Sequence, residues 1–115
     1  MFERDIAEGI TILNRHDLGW AHRINVDELD MLDPVKDLLG QLYEVVRSET
    51  SCKVWEDYVN NETFCGFAIQ DAIRTNTQWG ILTREWQRII RYIQENIPAD
   101  EPFEATLGSL WEREI

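Results

Sequence analysis

The run Asp33-Pro34-Val35-Lys36-Asp37-Leu38-Leu39-Gly40-Gln41-Leu42-Tyr43 carries the clearest structural signal in the chain. An aspartate accepts the amide N–H groups that a first helical turn leaves without partners, and a proline just after it gives up no bond it would have made. The pair Asp33-Pro34 therefore predicts a helix start. Val35, Leu38, Leu39, Leu42, Tyr43 and Val46 follow at helical spacing, an apolar stripe wide enough to rest against two other helices in spite of Gly40.

Working outward, Phe2, Ile6, Ile10 and Leu13 recur every three to four residues, with Glu3, Asp5 and Glu8 on other faces, so residues 2–14 read as an amphipathic helix. Residues 14–20 are rich in turn formers and read as a connector, with Asp17 capping a short helical turn that points Trp20 and Ile24 inward. Residues 25–33 are too short a pattern to assign by period and are read as a 3-10 turn. Beyond the polar residues 47–51, Val54, Trp55, Tyr58 and Val59 share one face of a third helix, which Asn60 and Asn61 stop. A turn over Glu62–Phe64 ends at Gly66, with Phe67 docked inward. Residues 67–73 fit both alternation and a helix, and the helical reading is adopted. Residues 74–80 read as a polar connector, and Thr83 as the cap of a helix carrying Trp86, Ile89, Ile90, Ile93 and Ile97 until Pro98. Pro102 opens a last segment with Phe103, Leu107, Leu110 and Trp111 at helical spacing. The expectation is a mainly α protein, residues 1–115 forming a single compact helical domain of about five helices.

The 115 residues suit one domain, and 43% hydrophobic residues with 10% aromatics argue against disorder. Asp and Glu number 22 against 11 Lys and Arg, a net charge of −11 that opposes attraction to phosphate backbones and anionic membranes. No stretch has the length of apolar sequence that a membrane span requires, and the acidic start Glu3-Arg4-Asp5 lacks a signal-peptide layout, so a cytoplasmic location is expected. Residues 72–94 reverse the balance, with four bases against one acid. There Arg84, Arg88 and Arg91 lie opposite the Trp86 and Ile90 stripe, a basic outer face that either pairs with neighbouring carboxylates or meets an acidic partner.

Motifs for chemistry fail on spacing. A calcium loop starting at Asp27 would need ligands where Leu29, Met31 and Leu38 stand and a glycine at Leu32. His16-Asp17 spells a dipeptide of metal phosphohydrolases, but His22 is the only other histidine. Cys52 and Cys65 form no CxxC and read as buried free thiols. The chain has no phosphate loop, GxSxG or HExxH. Neither an enzyme, a cofactor nor a metal is expected. Of the five tryptophans, Trp79 fits a core pattern least and is the candidate apolar anchor of an interface.

Gly19-Trp20, Ile24, Leu29-Asp30-Met31, Leu39-Gly40-Gln41-Leu42-Tyr43, Gly66-Phe67 and Leu82-Thr83 with Trp86 occur in an order that resembles a family of small proteins encoded by bacteriophages and prophages. The likeness covers about three quarters of the chain and centres on Leu39–Tyr43. It implies a phage origin and a compact helical domain. Many members of that family carry cysteines just before the central run, where Asp33-Pro34-Val35-Lys36-Asp37 stands here.

A small acidic chain of this kind is expected to be an inhibitor of the anti-CRISPR type. Its carboxylates would occupy the basic nucleic-acid groove of a host defence protein such as a CRISPR effector, without binding nucleic acid or membrane itself. The expected contacts are Asp27, Glu28, Asp30, Asp33 and Asp37, a second patch at Asp100, Glu101 and Glu104, and Trp79. The alternative is a structural or regulatory interaction protein, a homodimer or a toxin-immunity partner. On the charge reading, lysine at 30, 33 and 37 leaves thermal unfolding nearly unchanged while weakening partner binding and its salt dependence.

Overall fold

A computed structural model describes residues 3–33, 35–43, 49–60 and 76–103. These residues form four α-helices: α1 (Glu3–His16), α2 (Leu38–Leu42), α3 (Glu49–Asn60) and α4 (Asn76–Asn96). Two 3-10 turns, Trp20–Arg23 and Val26–Glu28, lie between α1 and α2, and no strand occurs among the described residues. The expected mainly α class is therefore what the chain adopts.

The apolar stripes of the sequence become one core. Ile6, Ile10 and Leu13 of α1, Leu38 of α2, Val54 of α3 and Leu82, Trp86 and Ile90 of α4 are all fully buried. At its centre Trp20 meets Trp86 edge to face, with ring centroids 6.1 Å apart and planes at 89°, the arrangement that ring quadrupoles favour. Burying an indole N–H requires an acceptor, and Asn14 Oδ1 provides it at 2.9 Å. The Asn14 amide donates in turn to the Phe103 carbonyl at 2.8 Å, so one side chain at the end of α1 secures both the central tryptophan and the strand of chain leaving α4.

The C-terminal turn of α1 also holds α3. Asp57 accepts from Arg15 at 2.9 Å and lies 2.5 Å from His16 Nε2, and both basic residues sit where a helix macrodipole welcomes positive charge. The His16 contact first, then that of Arg15, holds the Asp57 carboxyl below the usual carboxylate range.

Residues 17–37 hold two 3-10 turns and little other regular structure, so local main-chain turns bond part of their peptide groups and side chains bond others. The segment runs antiparallel to α4 and is stitched to it. Gln94 donates to the carbonyls of Ala21 and Ile24, Gln87 to that of Val26, and Thr83 Oγ1 accepts from the Met31 N–H at 3.0 Å. From the other side Gln41 of α2 closes the segment on itself. Its amide oxygen accepts from the Asn25 N–H at 2.8 Å, and its amide nitrogen donates to the carbonyls of Asn25 and Lys36. Tyr43 completes the clamp by donating its hydroxyl to Asp17 at 2.6 Å, and Arg23 donates to the same carboxylate. Burial first, then this hydrogen bond and the negative charge of Asp17, pushes the Tyr43 phenol upward.

Several local expectations change. The helix of the central run begins at Leu38, with Asp37 rather than Asp33 as its cap. The Lys36 and Asp37 N–H groups both bond back to the Asp33 carbonyl, which closes a separate turn before Asp37 extends and the helix restarts. Val35, assigned to the core stripe, is consequently 70% exposed. Asp17 does not cap the 3-10 turn, because Arg23 and Tyr43 occupy its carboxylate. The residue preceding that turn is Gly19, at a left-handed φ of +89°. A β-carbon there would also come within 3.1 Å of the Ala99 carbonyl oxygen, so glycine answers both constraints. Residues 76–80 are helical rather than a connector, since Trp79, Ile81 and Leu82 carry the apolar face of α4 back a further turn. Thr83 is thus interior, its hydroxyl donating to the Trp79 carbonyl at 2.9 Å. Cys52 is exposed on α3 rather than buried. The expected turn at 62–66, the helix at 67–73 and the final apolar residues Leu107, Leu110 and Trp111 lie outside the described residues, as do Phe2, Pro34, Val46 and Cys65.

The clamp has a measurable consequence. Gln41→Ala removes three hydrogen bonds to main-chain groups and should lower the unfolding free energy by about 1–3 kcal/mol in urea titrations. An unchanged midpoint would show that water replaces those bonds at no cost.

Candidate acidic interface

Five of the nominated carboxylates lie on the stitched segment and its exit into α2. Asp27, Glu28 and Asp30 are exposed, and Asp33 and Asp37 are half-buried. Three of them organise the main chain. Asp30 Oδ1 accepts from the Leu32 N–H at 3.0 Å and Asp33 Oδ1 from the Val35 N–H at 2.9 Å, each an aspartate bonding the amide two residues on. Asp37 Oδ1 accepts from the Gly40 N–H at 2.6 Å as the helix cap. The Asp30 N–H reaches the Lys36 carbonyl at 3.3 Å, so residues 30–37 form a closed tip with these carboxylates fixed around it.

Asp27 faces α4, where Arg91 donates to it at 3.2 Å. The basic face of α4 thus pairs with a neighbouring carboxylate at this position. Both partners are exposed, 53% and 89%, so the pair contributes little and is open to exchange with another cation.

The second patch is not brought to the first. Asp100 and Glu101 are exposed in the turn after α4, closed by the Glu101 N–H on the Pro98 carbonyl. That turn packs against Gly19, and His22 contacts the Ile97 carbonyl at 2.7 Å, placing it beside the start of the stitched segment. Met31 is held at Thr83, 14 residues earlier in the helical register, which at 1.5 Å per residue separates the two levels by about 20 Å along α4. Glu104 lies outside the described residues.

Trp79 is half-buried in α4 and packs against the core, so the exposed anchor expected of it in a polar connector is not its setting. Among the described residues the exposed large apolar ones are Leu18, Leu32 and Val35, and two of these sit on the acidic tip. Sequence reading placed Val35 in the core and took Leu32 as one apolar position in a mixed run. The signal for their exposure was the repeat Asp30-Met31-Leu32 and Asp33-Pro34-Val35, in which an aspartate two residues upstream bonds the amide and turns the chain outward.

No three His, Cys, Asp or Glu side chains among the described residues converge as metal ligands would. His16 and Asp57 are a close pair, and Cys52, five residues before Asp57 on α3, faces about 140° away from it around the helix. Among the described residues no helix is long and apolar enough to cross a membrane. No family model, curated protein or solved structure matches this chain.

Asp37 carries a pH signature. Burial, reinforced by the charge of Asp33 and opposed by the Gly40 hydrogen bond, raises its carboxyl to about 6. The unfolded value is about 3.9, so between these limits the folded chain holds more proton than the unfolded one, and stability falls as pH rises through that window. Asp37→Asn keeps an oxygen for the cap and should flatten this slope. The measurement is the difference between wild type and variant in urea unfolding from pH 4 to 7, and a constant difference would rule out the shift. Because Asp37 caps α2, lysine at 30, 33 and 37 should also lower the melting temperature, contrary to the stability-neutral outcome expected from charge alone.

Proposed function

We propose that this chain is an acidic inhibitor that acts by stoichiometric occupation of a basic, nucleic-acid-binding groove on a host defence protein, of which a CRISPR effector nuclease is the leading case. The observation that carries this reading is the tip at 30–37, where Asp30 and Asp33 are held by their own hydrogen bonds to the following amides. Carboxylates ordered in advance lose little freedom when they meet arginine side chains, and the net charge of −11 steers the chain toward a cationic surface. Glu28 extends the same surface, and Asp27 exchanges its Arg91 contact for one with the partner. The partner is a protein, and the inhibitor acts in the cytoplasm of the host cell. A phage origin, as the resemblance around Leu39–Tyr43 implies, is part of this proposal.

The test is affinity capture from a phage-host lysate with increasing duplex DNA as competitor. Wild type should retain a nucleic-acid-binding protein that DNA displaces. A Glu28→Gln, Asp30→Asn, Asp33→Asn variant, which keeps acceptor oxygens for both turns, should retain about tenfold less, the loss of roughly 1.4 kcal/mol. Capture indifferent to DNA and to the charge change would overturn the proposal, as would turnover of a small substrate by the purified chain. Self-association without such a partner would favour a homodimeric interaction protein.

A further inference from the structure

Leu32 is 52% exposed and Val35 70% exposed, three positions apart on the tip. Their apolar neighbours Leu29, Met31 and Leu38 are all buried, so this pair is what remains outside after the core has taken what it can. The tip is also built to hold them there. The amides of both residues are bonded to the carboxylates of Asp30 and Asp33, and the turn is closed by the Asp30 to Lys36 and Asp33 to Lys36 main-chain bonds. Each apolar side chain therefore stands beside a carboxylate whose position is tied to the same peptide group.

We propose that Leu32 and Val35 are the apolar anchor of the interface, and that the surface receiving them is an apolar pocket on a protein, rimmed by lysine or arginine side chains. The inference rests on the acidic-inhibitor reading and names what its partner offers besides charge. Charge complementarity selects the occupant: the carboxylates of Asp30 and Asp33 are bonded to the amides of the pair, and Glu28, four positions before Leu32, is exposed, as is Lys36. A second copy of the chain would bring another net −11 and meet repulsion, which favours a cationic foreign protein over self-association. Two side chains cover far less than the roughly 1,200 Å² of a stable interface, so they act as anchors within a larger contact. Salt weakens the surrounding ion pairs and leaves the anchor in place.

The probes are an amphipathic helical peptide of leucine and lysine and an oligo-arginine of equal charge, titrated into the full chain with amide NMR shifts recorded. The amides of Leu32, Val35 and Lys36 should move with the amphipathic peptide. A Leu32→Ser, Val35→Ser variant, whose fold is checked by thermal unfolding, should bind that peptide about tenfold more weakly while its affinity for oligo-arginine stays the same. Equal affinity of variant and wild type for the amphipathic peptide would overturn the anchor. So would shifts confined to other residues, or movement of the same amides with chain concentration alone, which would make a second copy the occupant. The DNA-competed capture separates the two proposals. A partner displaced by DNA from wild type and variant alike removes the anchor and leaves the charge decoy. A partner held by wild type at every DNA concentration but lost from the variant removes the decoy and leaves the anchor.

Discussion

The chain between α1 and α2, which has little regular structure beyond two 3-10 turns, lies against a helical core, and its peptide groups must be bonded for the core to close. Helical proteins ordinarily satisfy the backbone within each helix; here a segment between α1 and α2 bonds part of its backbone in local turns and borrows further partners from side chains. Thr83, Gln87 and Gln94 on α4 take one side, and Gln41 takes the other. Each unbonded peptide group would cost on the order of 1–3 kcal/mol if buried, a large part of the margin by which a domain of this size is stable. The polar residues on the inner edge of α4 are thus as much a part of the fold as Trp86 and Ile90.

This arrangement gives physical content to the run Leu39-Gly40-Gln41-Leu42-Tyr43. Leu39 is buried, the Gly40 amide is bonded by Asp37, Gln41 closes the segment and Tyr43 holds Asp17. Nearly every position in it has an architectural duty. The run is thus the fastening of the loop that precedes it.

Much of the helical core was legible in the sequence because burial enforces periodicity: the stripes of α1, α3 and α4 follow from apolar spacing alone. Helix boundaries were less legible where two aspartates competed to cap. Asp33 and Asp37 are both good caps, and only the main-chain bonds returning to the Asp33 carbonyl show that the first closes a turn while the second starts the helix. Polar residues around Trp79 disguised the first turn of α4 in the same way, since its apolar face is completed by Ile81 and Leu82 further along. The acidic surface was readable as composition, but its division was not. Asp100 and Asp30 look equivalent in sequence, and the antiparallel lay of the segment on α4 sets them apart. Val35 was missed because an apolar residue just after a helix start is assumed to enter the helix, and Leu32 because the mixed run at 25–33 is too short to assign its faces by period.

The stitches on α4 recur at Thr83, Gln87 and Gln94, so the segment from Ala21 to Met31 is measured against the helix as if against a ruler. A residue gained or lost inside that span would put each later bond out of phase with the turn that supplies it. The tip beyond Met31 is gauged by its own bonds, from Asp30 to Lys36 and from Lys36 to Asp33, and not by α4. Substitution of the exposed side chains at Leu32 and Val35 would therefore leave the measured span, and the way it lies on α4, as they are.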